Sequence, residues 1–292
     1  MNKHAYLILA HKNPLQLKLL LSLLDDERND IYVHIDQKAP FSGKELEGCC
    51  LKSNVEFLQR RIRVTWGGVS IIRAEMALLE AATRTEHAYY HLISGLDLPI
   101  KPQHVIHDFF DANPGKEFLD LWEMQEHTKN RVKYYTLFPE GNHFFLTNWL
   151  NHAGKFILRS LGLEMNRGIE FRQGSQWFSI THDFAKYIVD SAAWIDKVFS
   201  HSCICDEIFI PTLLWRSPYK DNLYKCEPSV GHENTCANMR HIDWTRGSSI
   251  RHPWTYTIQD FDLLKSSPGL WARKFDESVD AAIINKVATE LN

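Results

Sequence analysis

The amino-acid sequence predicts an α/β fold, in which helices pack against a largely parallel sheet. The first indication is AYLILA at residues 5–10, which has the length and apolar character of a strand covered on both faces. Residues 15–24 space their leucines as a helix does, and IYVHID at 31–36 is a second strand-like segment. The order strand, helix, strand is typical of the β-α-β unit that opens an α/β sheet.

The remainder of the first half continues this alternation. The predicted elements are a strand at 55–58, a helix at 70–84, a strand at 89–94, a loop at 95–102 and a strand from Glu117. The loop is predicted because Gly95, Pro99 and Pro102 interrupt any regular element. About forty residues after Glu117 are polar and aromatic without clear periodicity, which indicates an insertion or lid.

The C-terminal half is predicted to add further strands and helices around the sheet. The expected elements are a strand at 175–180, a helix at 182–199, a helix opening within residues 206–217 and a final helix near Ala281. Pro211 is expected in the first turn of its helix, where the missing N–H has little effect. No internal repeat or low-complexity linker divides the chain, so a single domain over residues 1–292 is expected.

Composition excludes several classes of protein. The 292 residues are 44% hydrophobic, enough for a substantial core. The net charge of −3 without a polybasic block disfavours nucleic-acid binding. The N-terminal apolar run is too short for a signal peptide, and no segment is long enough for a membrane span. The six cysteines form no CxxC pair, which favours a cytoplasmic protein with free thiols.

Polar residues follow three of the predicted strands, where ligands bind in open α/β sheets. The three strand exits are Ala10-His11-Lys12, Asp36-Gln37-Lys38 and Gly95-Leu96-Asp97. A carboxylate there suits a ribose or uracil group, and a lysine suits a phosphate. The alternative is structural: Asp36 and Asp97 as turn residues, and His11 as a helix cap.

The sequence lacks the common phosphate-binding and metal-binding patterns. Neither GxGxxG nor GxxxxGK[ST] occurs, and the two glycines of TWGG at 65–68 are weak by themselves. The DxD triplet beginning at Asp260 is predicted to cap a helix rather than to bind a metal. A bound diphosphate would therefore need other cations, for which Arg251 and Lys274 are candidates because both stand among aromatic residues.

Two adjacent carboxylates, Asp206 and Glu207, precede the apolar run that begins at Ile208. Buried carboxylates need partners, so their position calls for a reason. One interpretation makes Glu207 a general base. The other makes Asp206 the N-cap of a helix and Glu207 a favourable acid in its first turn.

Ordered motifs over nearly the whole chain resemble one known family. They are AYLILAHKNP, VHIDQK, VTWGGVSIIRAE, YYHLISGLDLPIKP, GSQWFSIT, CDEIF, IDW and WARKFD. The sequence resembles the core-2/I-branching β-1,6-N-acetylglucosaminyltransferase family, glycosyltransferase family fourteen, which also contains peptide xylosyltransferases. It is similar to a bacterial member reduced to the catalytic domain.

The resemblance implies a GT-A-like nucleotide-binding sheet with helices on both faces, and an inverting transfer without a metal or other cofactor. It makes Glu207 the catalytic base. Arg251 and Lys274 would hold the diphosphate, while Ala10, His11, Lys12, Asp36 and Lys38 would contact the nucleotide. The acceptor candidates, in a region that matches poorly, are Glu123, Lys129 and Arg131.

The expected function is therefore transfer of a sugar, N-acetylglucosamine first, from a UDP-sugar to a glycan hydroxyl. The expected partners are the UDP-sugar and a glycan acceptor, which is lipid-linked in one alternative. The protein is expected in the cytoplasm or peripherally at the inner membrane face. The alternatives are a UDP-xylose-dependent xylosyltransferase and a non-catalytic nucleotide- or carbohydrate-binding protein. A glycoside hydrolase fits poorly, because its two carboxyls must face each other across the bond and adjacent residues do not.

Overall fold

The computed structural model of the chain describes residues 2–140, 144–225, 237–246 and 252–292, and only the backbone of His127. The strands in these ranges are β1 (His4–Ala10), β2 (Asn29–Ile35), β3 (Asn54–Phe57), β4 (Tyr89–Ser94), β5 (Asp97–Pro99), β6 (Trp122–Glu123), β7 (Arg172–Gln173), β8 (Ser179–Thr181), β9 (Arg240–Ile242) and β10 (Trp271–Arg273). The α-helices are α1 (Pro14–Leu23), α2 (Ser70–Ala82), α3 (Gln103–Asp111), α4 (Glu126–Lys133), α5 (Phe145–Ser160), α6 (His182–Asp190), α7 (Ala192–Phe199), α8 (Phe209–Arg216), α9 (Phe261–Ser266) and α10 (Ala281–Glu290).

Five strands form the central sheet in the order β3-β2-β1-β4-β8. β1 pairs in parallel with β2 and β4, and β2 pairs in parallel with β3. β8 is antiparallel to β4 at one edge. Because parallel strands run in one direction, the carboxyl ends of β1, β2 and β4 meet along one edge of the sheet, where ligands bind in such folds.

The side chains of β1 alternate between two apolar cores, because successive residues of a strand point to opposite faces. Tyr6 and Ile8 pack in one core with α1, α3 and α10. Ala5 and Leu7 pack in the other with α2, α6, α7 and α8. The predicted α/β class, with helices on both faces of the sheet, is confirmed.

The C-terminal half adds two small sheets. The first, in the order β5-β10-β9, joins the segment after β4 to the C-terminal part of the chain. The prediction that residues 95–102 are entirely loop is therefore wrong, because β5 pairs antiparallel with β10. Local turn residues carry no sign of a partner so far along the chain. The second sheet is the antiparallel pair of β6 and β7.

Other boundaries differ from the predictions. The region after Glu117, predicted as an unpatterned insertion, contains α4 and α5, and α3 was not predicted. Of the strand predicted at 175–180, only Ser179 and Ile180 are in a strand, which is β8 (Ser179–Thr181). The single helix predicted at 182–199 is two helices that meet at Ser191, whose hydroxyl donates to the Tyr187 carbonyl at 2.7 Å. No helix within the described ranges has the length and apolarity needed to cross a membrane.

Candidate active site

A cleft of about 760 Å³ opens at the carboxyl edge of the central sheet. The carboxyl ends of β1, β2 and β4, with the residues that follow β1 and β2, form one part of its lining. The turn before α8, the segment after β7 and the strands β9 and β10 provide the other parts. The volume falls within the range of protein pockets for small ligands, and the position agrees with the rule for open α/β sheets.

The structure brings together six of the site residues that the sequence predicts. The cleft lining includes Ala10, His11, Asp36, Lys38, Arg131 and Glu207. Lys12, Glu123, Lys129 and Lys274 lie outside that lining, and Arg251 lies outside the described residues. Six residues from four separate segments thus share one concave surface.

Glu207 lies in the turn that precedes α8, and its side chain is about one third exposed. Gln173 Nε2 donates to Glu207 Oε2 at 3.3 Å, and Arg131 Nη1 lies 3.6 Å from the same oxygen. Oε1 accepts no hydrogen bond from the described residues. An accessible carboxylate that is oriented through one oxygen has the geometry of a general base.

The position of Glu207 depends on Gly174. The Gly174 N–H donates to the Glu207 carbonyl at 2.9 Å, which fixes the turn against the end of β7. A Cβ atom at position 174 would lie 1.9 Å from the Asp120 carbonyl oxygen, so only glycine permits this approach. Gly174 thereby places Asp120 and Glu207 on the same side of the cleft.

Asp206 does not cap α8 as predicted. The N-cap is Ile208, and no side chain bonds to the free N–H groups there. The chain completes one more turn, at 206–208, before the helix begins, and this turn moves Asp206 away from the cap position. Its Oδ1 is buried and has no hydrogen-bond partner in the described part of the chain. Burial, and then the adjacent Glu207 carboxylate, raise the pKa of Asp206 to about 6.

Asp206→Asn is expected to stabilise the protein at pH 8 by a few degrees in Tm, with little effect at pH 5. Because the pKa of Asp206 is raised on folding, the folded protein binds its proton more readily than the unfolded chain. The wild type therefore loses stability as the pH rises through about 6, whereas the asparagine variant does not. Thermal unfolding of both proteins from pH 5 to pH 8 measures the difference. The exposed Asp196→Asn is the matched control, and equal pH profiles for wild type and Asp206→Asn would contradict the assignment.

Two further buried carboxyls accompany Asp206. Burial raises the pKa of Asp120, which lines the cleft, to about 6, and Asn238 Nδ2 donates to it at 3.0 Å. Burial also raises the pKa of Glu75 well above its usual range, and Gln176 Nε2 donates to it at 2.7 Å. The part of the cleft around Glu207 therefore contains several carboxyls, and the pKa values of Asp206 and Asp120 are both raised to about 6.

A second group of charged residues surrounds His11. Burial, then Lys12 and Arg273, lower the pKa of His11, so its imidazole is neutral at pH 7. Lys12 Nζ lies 2.5 Å from Asp276 Oδ2, a contact that ties the exit of β1 to the KFD motif. The predicted cap role of His11 is wrong, since Asn13 is the N-cap of α1.

Lys274 has a different environment from its two cationic neighbours. Arg273, which lines the cleft, pairs with Asp97 at 2.6 Å, and Lys12 pairs with Asp276. Lys274 makes no ion pair with any described residue. Burial, followed by Arg273 and Lys12, lowers the pKa of Lys274. A bound anion would relieve this repulsion, as expected of a phosphate-binding position.

The two predicted turn aspartates both have structural contacts. Asp36 accepts from the Lys38 N–H at 2.8 Å, and Asp97 accepts from the Ser94 N–H at 2.9 Å. Their structural interpretation is therefore confirmed. Asp36 nevertheless lines the cleft, so its structural and ligand-contacting roles are compatible.

Sequence reasoning missed several residues of the cleft. They include Asp120, Gln173, Gln176, Arg240 and Arg273, and the tryptophans Trp66, Trp122, Trp177 and Trp244. Trp66, Trp122 and Trp244 are exposed, and exposed tryptophan rings suit the apolar faces of sugars. Arg273 is the last residue of β10 and lines the cleft, whereas Lys274 follows the strand and lies outside the lining. Asp120 interrupts an apolar strand-like segment, which was an overlooked signal.

The fold and the cleft define a class of protein: α/β proteins that bind a ligand at the carboxyl edge of a mainly parallel sheet. Within that class, the chain belongs to the Core-2/I-branching enzyme family. The family model with that description matches residues 4–265. The resemblance inferred from the motifs is confirmed at the level of the family.

Individual relatives carry two kinds of sugar-transferase name. Rat xylosyltransferase 2 is 25% identical over 96% of this chain, and human N-acetyllactosaminide beta-1,6-N-acetylglucosaminyl-transferase is 24% identical over 93%. The chain spans 32% of the first protein and 68% of the second. Among solved structures, mouse xyloside xylosyltransferase 1 in its apo form aligns with a TM-score of 0.40 and 13% identity, covering 93% of this chain and 97% of that one.

Proposed function

We propose that the protein is an inverting glycosyltransferase that moves N-acetylglucosamine from a UDP-sugar to a glycan hydroxyl. The observation that carries the proposal is the composition of the cleft: the accessible carboxylate Glu207 lines it together with His11, Lys38 and Arg273. A transferase needs a base beside the acceptor and positive charge beside the departing diphosphate. The whole chain, residues 1–292, is proposed to act as one catalytic domain.

In the proposed reaction, Glu207 accepts the proton of the acceptor hydroxyl as its oxygen attacks the anomeric carbon. The bond from that carbon to the diphosphate oxygen breaks, UDP leaves with the bonding pair, and the configuration inverts. Lys274, with Arg251, stabilises the charge that develops on UDP, in the role that a metal ion performs elsewhere. His11, Asp36 and Lys38 hold the nucleotide at the strand exits.

UDP-xylose is the second candidate donor. It is favoured by the match to xylosyltransferase 2, which extends over 96% of this chain. The tryptophans around the cleft suit either sugar. The predicted cytoplasmic location, based on cysteine usage, stays a prediction.

A screen of UDP-sugars tests the proposed function. UDP is expected to raise the Tm, and slow hydrolysis of one UDP-sugar, with release of UDP, identifies the donor. Hydrolysis of UDP-xylose in preference to UDP-N-acetylglucosamine would identify UDP-xylose as the donor instead. No Tm shift and no hydrolysis with any UDP-sugar would contradict the transferase.

The same assay includes EDTA, because cationic side chains are proposed to neutralise the diphosphate. UDP release is expected to be unchanged by the chelator. The matched control repeats the assay with added Mg²⁺ and Mn²⁺. Loss of activity in EDTA that either ion restores would contradict the proposed role of Arg251 and Lys274.

A further inference from the structure

Helix α5 presents an apolar face to the solvent. Phe145, Phe156 and Trp149 are 89%, 72% and 59% exposed, and Leu146 and Ile157 are more than half exposed. At 100° per residue, these five side chains occupy one side of the helix. An ordinary surface helix turns such a face toward the core.

On the opposite side of α5, Asn151 is the one buried residue of the helix. Asn151 Oδ1 accepts from the Phe138 N–H at 2.9 Å, and Asn151 Nδ2 donates to the Phe138 carbonyl at 3.0 Å. This pair of bonds fixes the orientation of the helix. The apolar face of α5 is therefore exposed because of specific contacts.

The exposed apolar surface continues on both sides of the helix. The neighbouring exposed side chains are Phe144, Leu161 and Leu163 in the same segment, and Leu137 and Phe138 before it. A Cβ atom on Gly154 would lie 3.2 Å from Leu137 Cδ1, so Leu137 packs directly against α5. Soluble monomers rarely expose a contiguous apolar patch of this size, and larger patches mark interaction sites.

The charge of this segment indicates what the surface contacts. Residues 144–163 contain Lys155 and Arg159 but no aspartate or glutamate, although the chain as a whole carries −3. Glu164, which follows, lies 3.9 Å from Lys133. Bulky apolar residues beside the exposed Arg159, in a segment without acids, complement the surface of an anionic lipid bilayer.

We propose that α5 lies on an anionic membrane surface, with Phe145, Trp149 and Phe156 inserted at the boundary between head groups and acyl chains. Helix α5 contacts the segment that leads to Glu207. Lys155 Nζ lies 3.2 Å from Cys203 Sγ, and Ile204, which follows Cys203, lines the cleft. Membrane docking of α5 therefore brings the segment before Glu207 near the lipid surface that carries a lipid-linked glycan, a consequence that rests on the proposed function.

Flotation with vesicles tests the docking surface. The wild type is expected to float with vesicles of phosphatidylcholine containing one third phosphatidylglycerol, and less with phosphatidylcholine alone. The double variant Phe145→Glu/Phe156→Glu is expected to reduce the partition coefficient at least tenfold. Arg159→Ala is expected to reduce it roughly fivefold on the anionic vesicles. Leu51→Glu, at a position 92% exposed outside this surface, is the matched control and is expected to float like the wild type.

Unfolding curves must show that each variant is folded. Wild type that does not float with anionic vesicles, or a folded double variant that floats equally well, would overturn the proposal. A dimer that the double variant dissociates, without vesicle binding by the wild type, would assign the surface to a second copy of the chain and overturn it as well. UDP-sugar hydrolysis is measured separately without vesicles. If the protein shows no transferase activity, the flotation result still tests the membrane-docking proposal by itself.

Discussion

Glu207→Gln is expected to lower kcat by roughly 10²-fold or more while leaving donor binding unchanged. Glutamine has nearly the same shape, and its side chain retains an oxygen for Gln173 and Arg131. It cannot accept the proton of the acceptor hydroxyl, so the attack step slows. The cations near His11, where the diphosphate is proposed to bind, are unaltered. Initial rates of UDP release with acceptor, together with the Kd of UDP from calorimetry, separate the two effects.

The matched control is Glu164→Gln, which changes an exposed glutamate outside the cleft lining. Its kcat is expected to equal that of the wild type. Retained turnover in Glu207→Gln would remove Glu207 from the catalytic role. Loss of UDP binding in that variant would show instead that the substitution disturbs the cleft as a whole.

Lys274→Met is expected to weaken UDP binding and to lower kcat/KM by about 10²-fold. The ammonium makes no ion pair with the described residues, and its pKa is lowered by burial, Arg273 and Lys12. Its positive charge is therefore available to pair with a diphosphate, whereas Arg273 is already paired with Asp97. Because charge on the diphosphate grows as UDP departs, the loss in kcat is expected to exceed the loss in UDP affinity.

The exposed Lys265→Met controls for the removal of one positive charge near the C terminus. Arg251→Met is expected to act in the same direction as Lys274→Met. An unchanged Kd for UDP and an unchanged kcat in Lys274→Met would contradict the leaving-group role. In that case Arg273, the cation of this motif that lines the cleft, would be the next residue to replace.

The predicted elements that the structure confirms are those with strong local periodicity. The core strand β1, the leucine-rich α1 and the parallel strands β2 and β4 each carry their signal within a few residues. The elements that were missed depend on partners far along the chain. β5 exists because β10 pairs with it, and the apolar side chains of α5 face outward because Asn151 bonds to Phe138.

The sequence by itself determined the α/β class, the strand exits that meet in the cleft and the family to which the chain belongs, because these follow from local periodicity and from ordered motifs. Only the tertiary structure decided the environment of each charge. It buried Asp206 without a cap role, paired Lys12 with Asp276 and placed Arg273 rather than Lys274 in the cleft lining. The physical reason is that burial and charge pairing depend on residues brought together from distant segments, and no local pattern records those contacts.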